Sequence, residues 1–182
     1  TIYVDRQDTN LIWLGSFGNG FDRFDKGTQR FTHFTQQNGL PNDVVYSLLP
    51  DDNGNLWLST NKGISKFDRH TGTFVNYDLL DGLQSNEFNA GAYCKSQHTG
   101  EMFFGGVNGF NSFFPDQIQT NQNVPPVAIT SFKIFDQEMS DQSGGIHSGQ
   151  EIQLSHKENF FSFEFSVLDY TDVTKNQFAY KL

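Results

Sequence analysis

The chain repeats itself, and the length of the repeat restricts the fold more than any other feature. DDNGNLWLSTNKGISKFD, from Asp51 to Asp68, sets a turn, an apolar burst, a second turn and a second apolar burst in one short stretch. LIWLGSFGNGFDRFD, Leu11 to Asp25, places Trp13 44 residues before Trp57 and Phe24-Asp25 43 residues before Phe67-Asp68. A third copy, GEMFFGGVNGFNSFFPD from Gly100 to Asp116, puts Phe103 in the tryptophan's place and Phe113 in that of Phe67. The flanks recur too: RFTHF (Arg30–Phe34) answers TFVNY (Thr73–Tyr77), and NGLPNDVVYSLL (Asn38–Leu49) answers DGLQSNEFNAGAYC (Asp81–Cys94). Self-similarity at a period of about 20–50 residues belongs to stacked or radial repeat architectures.

The pattern inside the repeat chooses between them. Val44 to Leu49 and Leu56 to Ser59 are β-branched, aromatic or aliphatic, and the DDNGN between them is rich in residues that tolerate positive φ. Gly63 punctuates the chain before Ile64 to Phe67, and His70-Thr71-Gly72 turns it again before Phe74 to Tyr77. Four short strands in one repeat, with no sustained 3.6-residue periodicity, predict β-propeller blades rather than a helical solenoid. Trp13, Trp57 and Phe103 hold one equivalent place, which predicts packing between neighbouring blades. Three blades do not close a propeller, for which at least about four are usual. Exposed blade faces therefore predict self-association.

Beyond the repeats the pattern changes. Gln117 to Val124 is polar, and Pro125-Pro126 stiffens the exit. Val127 to Phe135 and Phe160 to Leu168 then alternate; Phe161, Phe163, Phe165 and Val167 share one side of a strand, with Ser162, Glu164 and Ser166 on the other. One face is expected to be buried and one wet, as in a sandwich strand.

A net charge of -9 with only 12 Lys and Arg argues against a nucleic-acid groove or an anionic membrane surface, both of which need clustered cations. Cys94 stands alone, so the chain has no internal disulfide framework and no cysteine-based zinc site. No apolar run reaches the roughly 18 residues that cross a bilayer. The pattern is already under way at Thr1 and still running at Tyr180-Lys181-Leu182, so the chain is expected to be a piece of a longer protein.

LWLSTNKGISKFDRHTGTF, DGLQSNEFNAGAY and MFFGGVNGFNSFFPDQI resemble the two-component regulator propeller repeats of bacterial transmembrane sensors. PPVAITSFKIFDQEM and NFFSFEFSVLDYTDVTKNQFAYKL resemble the start of the Y_Y_Y domain, an immunoglobulin-like sandwich that joins such propellers to the membrane. Two departures stand out: Phe178 occupies a place where Tyr is common, and the chain stops before the EGFD-type continuation. The resemblance implies an all-β chain of about three four-stranded blades in an incomplete propeller, followed by a partial immunoglobulin-like β-sandwich. The implied divisions are residues 1–116 for the blades, with repeats near 1–36, 37–80 and 81–116, residues 117–126 for the linker, and 127–182 for the truncated Y_Y_Y domain.

It also implies a role: a ligand-sensing periplasmic ectodomain of an inner-membrane hybrid histidine kinase, passing a binding or dimer-geometry signal to the membrane through segments of the parent outside this chain. The alternatives are the sensor region of a diguanylate cyclase and a propeller-type polysaccharide-degrading enzyme. The fragment itself is expected to be non-catalytic, to need no cofactor, and to bind an unknown small molecule such as an oligosaccharide.

Candidate contact residues follow from blade geometry. Loops between the second and third strands and loops leading into each blade should share one rim, and they carry Asn19, Asn61 and Asn108, and Asn42 and Asn86, with Phe17 and Lys62 close by. Asn offers a donor and an acceptor to sugar hydroxyls, yet it also suits the left-handed backbone of turns. Asp51, Asn53 and Asn55 echo a calcium loop, but the sixth and twelfth places hold Leu56 and Lys62 where Gly and Glu are required, so a hairpin turn is expected. His33, His70, His98, His147 and His156 are scattered without ligand spacing or an acidic partner, and no metal is expected. GGIHSG (Gly144–Gly149) misses the G-x-S-x-G pattern and reads as a loop; Glu87 and Glu101 lack anything that would raise a carboxyl pKa.

Overall fold

Turn chemistry builds each blade from local pieces. In the computed structural model, which describes residues 1–118, 126–135, 137–138 and 153–167, β1 (Ile2–Val4), β2 (Leu11–Gly15), β3 (Phe21–Asp25) and β4 (Arg30–Phe34) form one antiparallel sheet in chain order. The second blade repeats it with β5 (Val45–Pro50), β6 (Leu56–Thr60), β7 (Gly63–Asp68) and β8 (Thr73–Tyr77). The third has β9 (Phe88–Lys95), β10 (Met102–Gly106) and β11 (Gly109–Phe113). The all-β bladed architecture is as expected, and its sheets are open. The chain divides into two compact units, Thr1–Gln119 and Thr120–Leu182.

Blade faces, rather than any single sheet, supply the core. Trp13 of the first blade lies among Phe21, Leu48, Leu56, Leu58 and Phe67, with its ring 5.8 Å from that of Phe67 in the second blade. Trp57 does the same one blade on, among Ile64, Phe88, Met102 and Phe104, with its ring 4.8 Å from that of Phe113. Both indoles are therefore inter-blade packing, as their repeat position predicts. Phe103 departs from that expectation: it is half-buried and meets Phe110 of its own blade at 6.3 Å, because the described residues place no fourth blade against it.

Among the described residues the third blade has three strands. Its chain leaves β11 through Phe114 into a 3-10 turn, Pro115–Gln117, and proline has no amide to donate to a ladder. In the second blade Asn76 on the outermost strand donates to Gly39 O at 2.9 Å, whereas in the third Asn111, one strand further in, donates to the equivalent Gly82 O at 3.4 Å. The glycines record the same difference. Gly20 and Gly63 have φ of 71° and 90°, and an added Cβ would lie 2.0 and 2.1 Å from the carbonyl oxygens of Phe34 and Tyr77 on the outermost strands. Gly109, their counterpart, has φ of 121°, and among the described residues nothing lies within 4 Å of an added Cβ.

In the second unit β12 (Val127–Ile134) pairs with both β13 (Gln137–Glu138) and β14 (Phe161–Val167) in one antiparallel sheet. Phe132 and Ile134 are buried. The alternation expected of β14 only partly decides burial: Phe163 and Val167 are half-buried, but Phe161 and Phe165 remain more than a third exposed. Among the described residues no second sheet covers that face. Residues 119–125 of the expected linker, the GGIHSG loop with His147, the Leu168-Asp169-Tyr170 motif, and Phe178 with the chain's last residues lie outside the described residues.

Candidate functional site

The two ends of the blades do different work. At one end the loops between second and third strands meet the loops leading into the next blade, as strand order requires. Gly18 N and Gly20 N donate to Asp43 O at 3.1 and 2.7 Å, and Gly63 N donates to Asn86 O at 2.7 Å. The rim asparagines are assembled here. Asn42 accepts the Val44 amide at 2.9 Å and Asn86 accepts the Leu79 amide at 2.8 Å, so both hold the backbone in its turn. Asn108 donates its side-chain amide to Gln84 O at 3.4 Å and its backbone amide to Gln84 Oε1 at 2.7 Å. Asn61 receives the Tyr46 hydroxyl at 3.4 Å, and its side chain is exposed, as are those of Asn19 and Lys62. Phe17, 79% exposed, contacts the Tyr46 ring edge-on at 5.6 Å.

One equivalence changes. Asn42 and Asn86 look alike by spacing, but the residue that receives the preceding blade's glycine amides is Asp43 in the second blade and Asn86 in the third. Asn42 instead matches Ser85, whose hydroxyl accepts the Glu87 amide at 3.2 Å.

At the opposite end lies a polar system that the sequence reading did not single out. Asp5, buried just after β1, accepts the Trp13 indole N–H at 3.1 Å and the guanidinium of Arg69, which crosses from the second blade. Arg69 also donates to Gly54 O and, at 3.0 Å, to Gln7 Oε1. Burial alone would push the Asp5 carboxyl up; the Gln7 amide, the Trp13 indole and Arg69 together outweigh it and hold the carboxyl below its usual range. Asp51 repeats the arrangement, accepting the Trp57 indole at 3.0 Å and both the amide and side chain of Asn55 at 2.7 and 2.8 Å. The DDNGN turn is thus a tryptophan holder, its aspartate occupied by nitrogen donors. The signal was present in the sequence as an aspartate ahead of each tryptophan, across a hairpin.

A cleft of about 610 Å³ opens between these hairpin ends, walled by the innermost strands β1, β5 and β9. Arg6, Arg69, Lys95 and His98 line it together with Asp51 and Asp52. Lys95 Nζ bridges from the third blade to Pro50 O at 3.2 Å and Asp52 Oδ1 at 2.6 Å.

The remaining candidates fall elsewhere. His33, expected to lack an acidic partner, sits 2.5 Å from Asp22, which the β3–β4 register brings opposite it. His70, His98 and His156 are exposed, and among the described residues no cluster of three or more His, Cys, Asp or Glu could hold a metal. Glu87 and Glu101 stand at opposite ends of the β9–β10 hairpin, too far apart to act as an acid and base pair. Among the described residues no helix is long and apolar enough to cross a membrane.

Comparison with known proteins finds likeness within the repeats. Residues 39–62 match the two component regulator propeller, so the resemblance carried by the repeats holds. Histidine kinase P4 of Formosa agariphila is 35% identical over 153 residues, which are 81% of this chain and 11% of that protein. A solved extracellular domain, assigned to a hybrid two component system of B. thetaiotaomicron, is 31% identical with a TM-score of 0.63, covering 93% of this chain and 23% of its own. A second such domain from the same organism is 22% identical with a TM-score of 0.48. The chain therefore spans about a tenth of the curated relative and about a quarter of the solved domain.

Proposed function

We propose that this chain is part of the ligand-sensing extracytoplasmic region of a bacterial transmembrane receptor of the hybrid two-component histidine kinase type. One observation carries the reading: the likeness, at 31% identity and a TM-score of 0.63 over 93% of the chain, to an extracellular domain of such a system. The architecture suits the role. Blades locked face to face by Trp13 and Trp57, and clasped by Asp5 and Arg69, form a stiff body that moves as one. A stiff body can convert binding at one place into a change of geometry elsewhere, provided the ligand binds two arrangements unequally. In this reading the second unit is the beginning of the Y_Y_Y sandwich, and the periplasm is the compartment.

The test uses the full-length receptor in vesicles. Phosphoryl transfer by its kinase is followed while oligosaccharides, amino acids and nucleotides are added to the face that carries the blades. A stimulus-dependent change in rate supports sensing. A rate indifferent to every addition, or consumption of an added compound by the blades themselves, refutes it.

A further inference from the structure

The geometry points to the cleft between the hairpin ends, not the asparagine rim, as the binding site, and to a hydroxyl-bearing anion such as an acidic sugar as its ligand. The inference rests on the sensing reading for its biological meaning, while its chemistry stands on the cleft alone.

Three repeats bring the same element to one space, because β1, β5 and β9 are each the innermost strand of a blade and their following hairpins converge. About 610 Å³ lies within the range of small-ligand sites. The charges there are not those of the whole molecule. In a chain of net charge -9 with 12 Lys and Arg, three of the cations, Arg6, Arg69 and Lys95, line this one cleft.

The anions nearby are already satisfied. Asp51 accepts three nitrogen donors, and Asp5, behind Arg69, accepts the indole, the guanidinium and the backbone amides of Gln7 and Asp8. Donors are left over instead. Of the five N–H groups of a guanidinium, Arg69 directs three at Gly54, Asp5 and Gln7; of the three on an ammonium, Lys95 directs two at Pro50 and Asp52. Arg6 is exposed at the mouth and forms no ion pair among the described residues. Asp52, with its side chain 76% exposed, holds Lys95 in a pair that an incoming carboxylate or sulfate can exchange with. Gln7, Gln97 and the released Asp52 carboxylate then face hydroxyl groups, for which they supply acceptors. With Arg69 and Lys95 paired to Asp5 and Asp52, a neutral sugar would leave Arg6 without a counter-charge, and a bare anion would leave the acceptors unused.

Calorimetric titration of the 182-residue chain with galacturonate oligomer, with neutral galactose oligomer of equal length, and with sodium sulfate tests this. The acidic oligomer is expected to bind saturably, about tenfold or more tighter than either comparator, and to lose about tenfold in Arg6→Gln and in Lys95→Gln. Arg6 is exposed and its side chain forms no ion pair or hydrogen bond among the described residues, so Arg6→Gln keeps the test meaningful even if Lys95→Gln is unstable. No saturable heat up to about 5 mM, equal affinity for the neutral oligomer or for sulfate, or undiminished binding by Arg6→Gln would overturn the assignment. The sensing reading fails by a different result, a receptor output indifferent to all stimuli, so the two failures are separable.

Discussion

Replacing Asp5 by Ala should loosen the first blade from the second more than any other single exposed or polar change. The carboxylate is 2% exposed and receives four donors, of which one belongs to the neighbouring blade's Arg69, itself with only 11% of its side chain exposed. Removing it leaves a largely buried guanidinium without its counter-charge and a buried indole N–H without an acceptor. Breaking a buried ion pair from one side costs about 3–5 kcal/mol, and the orphaned indole belongs within that figure rather than on top of it. Against a total stability of about 5–15 kcal/mol for a domain, this is a large fraction.

Denaturant titration followed by tryptophan emission reads the effect directly, because the chain's two tryptophans sit one in each inter-blade core. Asp5→Ala should lower the midpoint of the Trp13 signal, seen alone in a Trp57→Phe background. Asp5→Asn, which keeps an acceptor for the indole but loses the charge, should fall between. The double variant Asp5→Leu with Arg69→Met removes both charges and should recover much of the loss, since apolar replacement of a buried pair is often neutral. A cost below about 1 kcal/mol for Asp5→Ala, or simple additivity of the Asp5 and Arg69 single changes, would refute the clasp.

Acid should unfold the blades in a defined window. Asp25 is held below the usual carboxylate range chiefly by the Thr28 amide, and Asp68 chiefly by the His70 amide, as Asp5 is by its donors. Carboxyls depressed in the folded state give their full stability above the unfolded value near pH 4 and lose it as pH falls below, so melting temperature should be flat from about pH 7 to 5 and drop beneath pH 4, less steeply in Asp5→Asn. Gly63→Ala should be severely destabilising, because both its φ and the Tyr77 carbonyl forbid a Cβ, whereas Gly109→Ala meets only the backbone strain of about 1 kcal/mol; thermal melts that rank them equally would contradict the close approach of the Tyr77 carbonyl. Asn86→Ala should cost about 1 kcal/mol through the lost Leu79 amide bond, while exposed Asn61→Ala should stay within about 0.5 kcal/mol in the same assay. Sedimentation should show concentration-dependent association at about 10–50 μM through the free face of the first blade, reduced by Phe31→Lys; a stable monomer would count against it.

The last expectation has a residue-level basis. On the second blade Leu48, Leu56, Leu58 and Phe67 are buried against the first. Their counterparts by strand register, Ile2, Ile12, Leu14 and Phe24, are exposed or half-buried, with Phe31 53% exposed. Within this chain, the first blade's side away from the second repeats a docking face.

The blade itself was legible in the amino-acid sequence because everything that makes it is local: DDNGN turns a hairpin, apolar bursts of five or six residues pair, and tryptophans recur at one place in the unit. The rim of asparagines followed from the same logic. What the period could not carry was the polar chemistry between blades. Asp5 and Arg69 are 64 residues apart, His33 faces Asp22 only through strand register, and Lys95 reaches Asp52 across the join between the second and third blades. Nor could the repeat show that Asn111, on the third strand of its blade, takes the bond to Gly82 O that Asn76 makes to Gly39 O from the fourth. Hydrophobic patterning is averaged over many residues and survives as a readable rhythm, whereas a charge acquires its partner only when packing sets its position to within a hydrogen bond. The sequence by itself therefore determined a stack of β blades with buried tryptophans; the tertiary structure decided which aspartates hold them and where three cations converge.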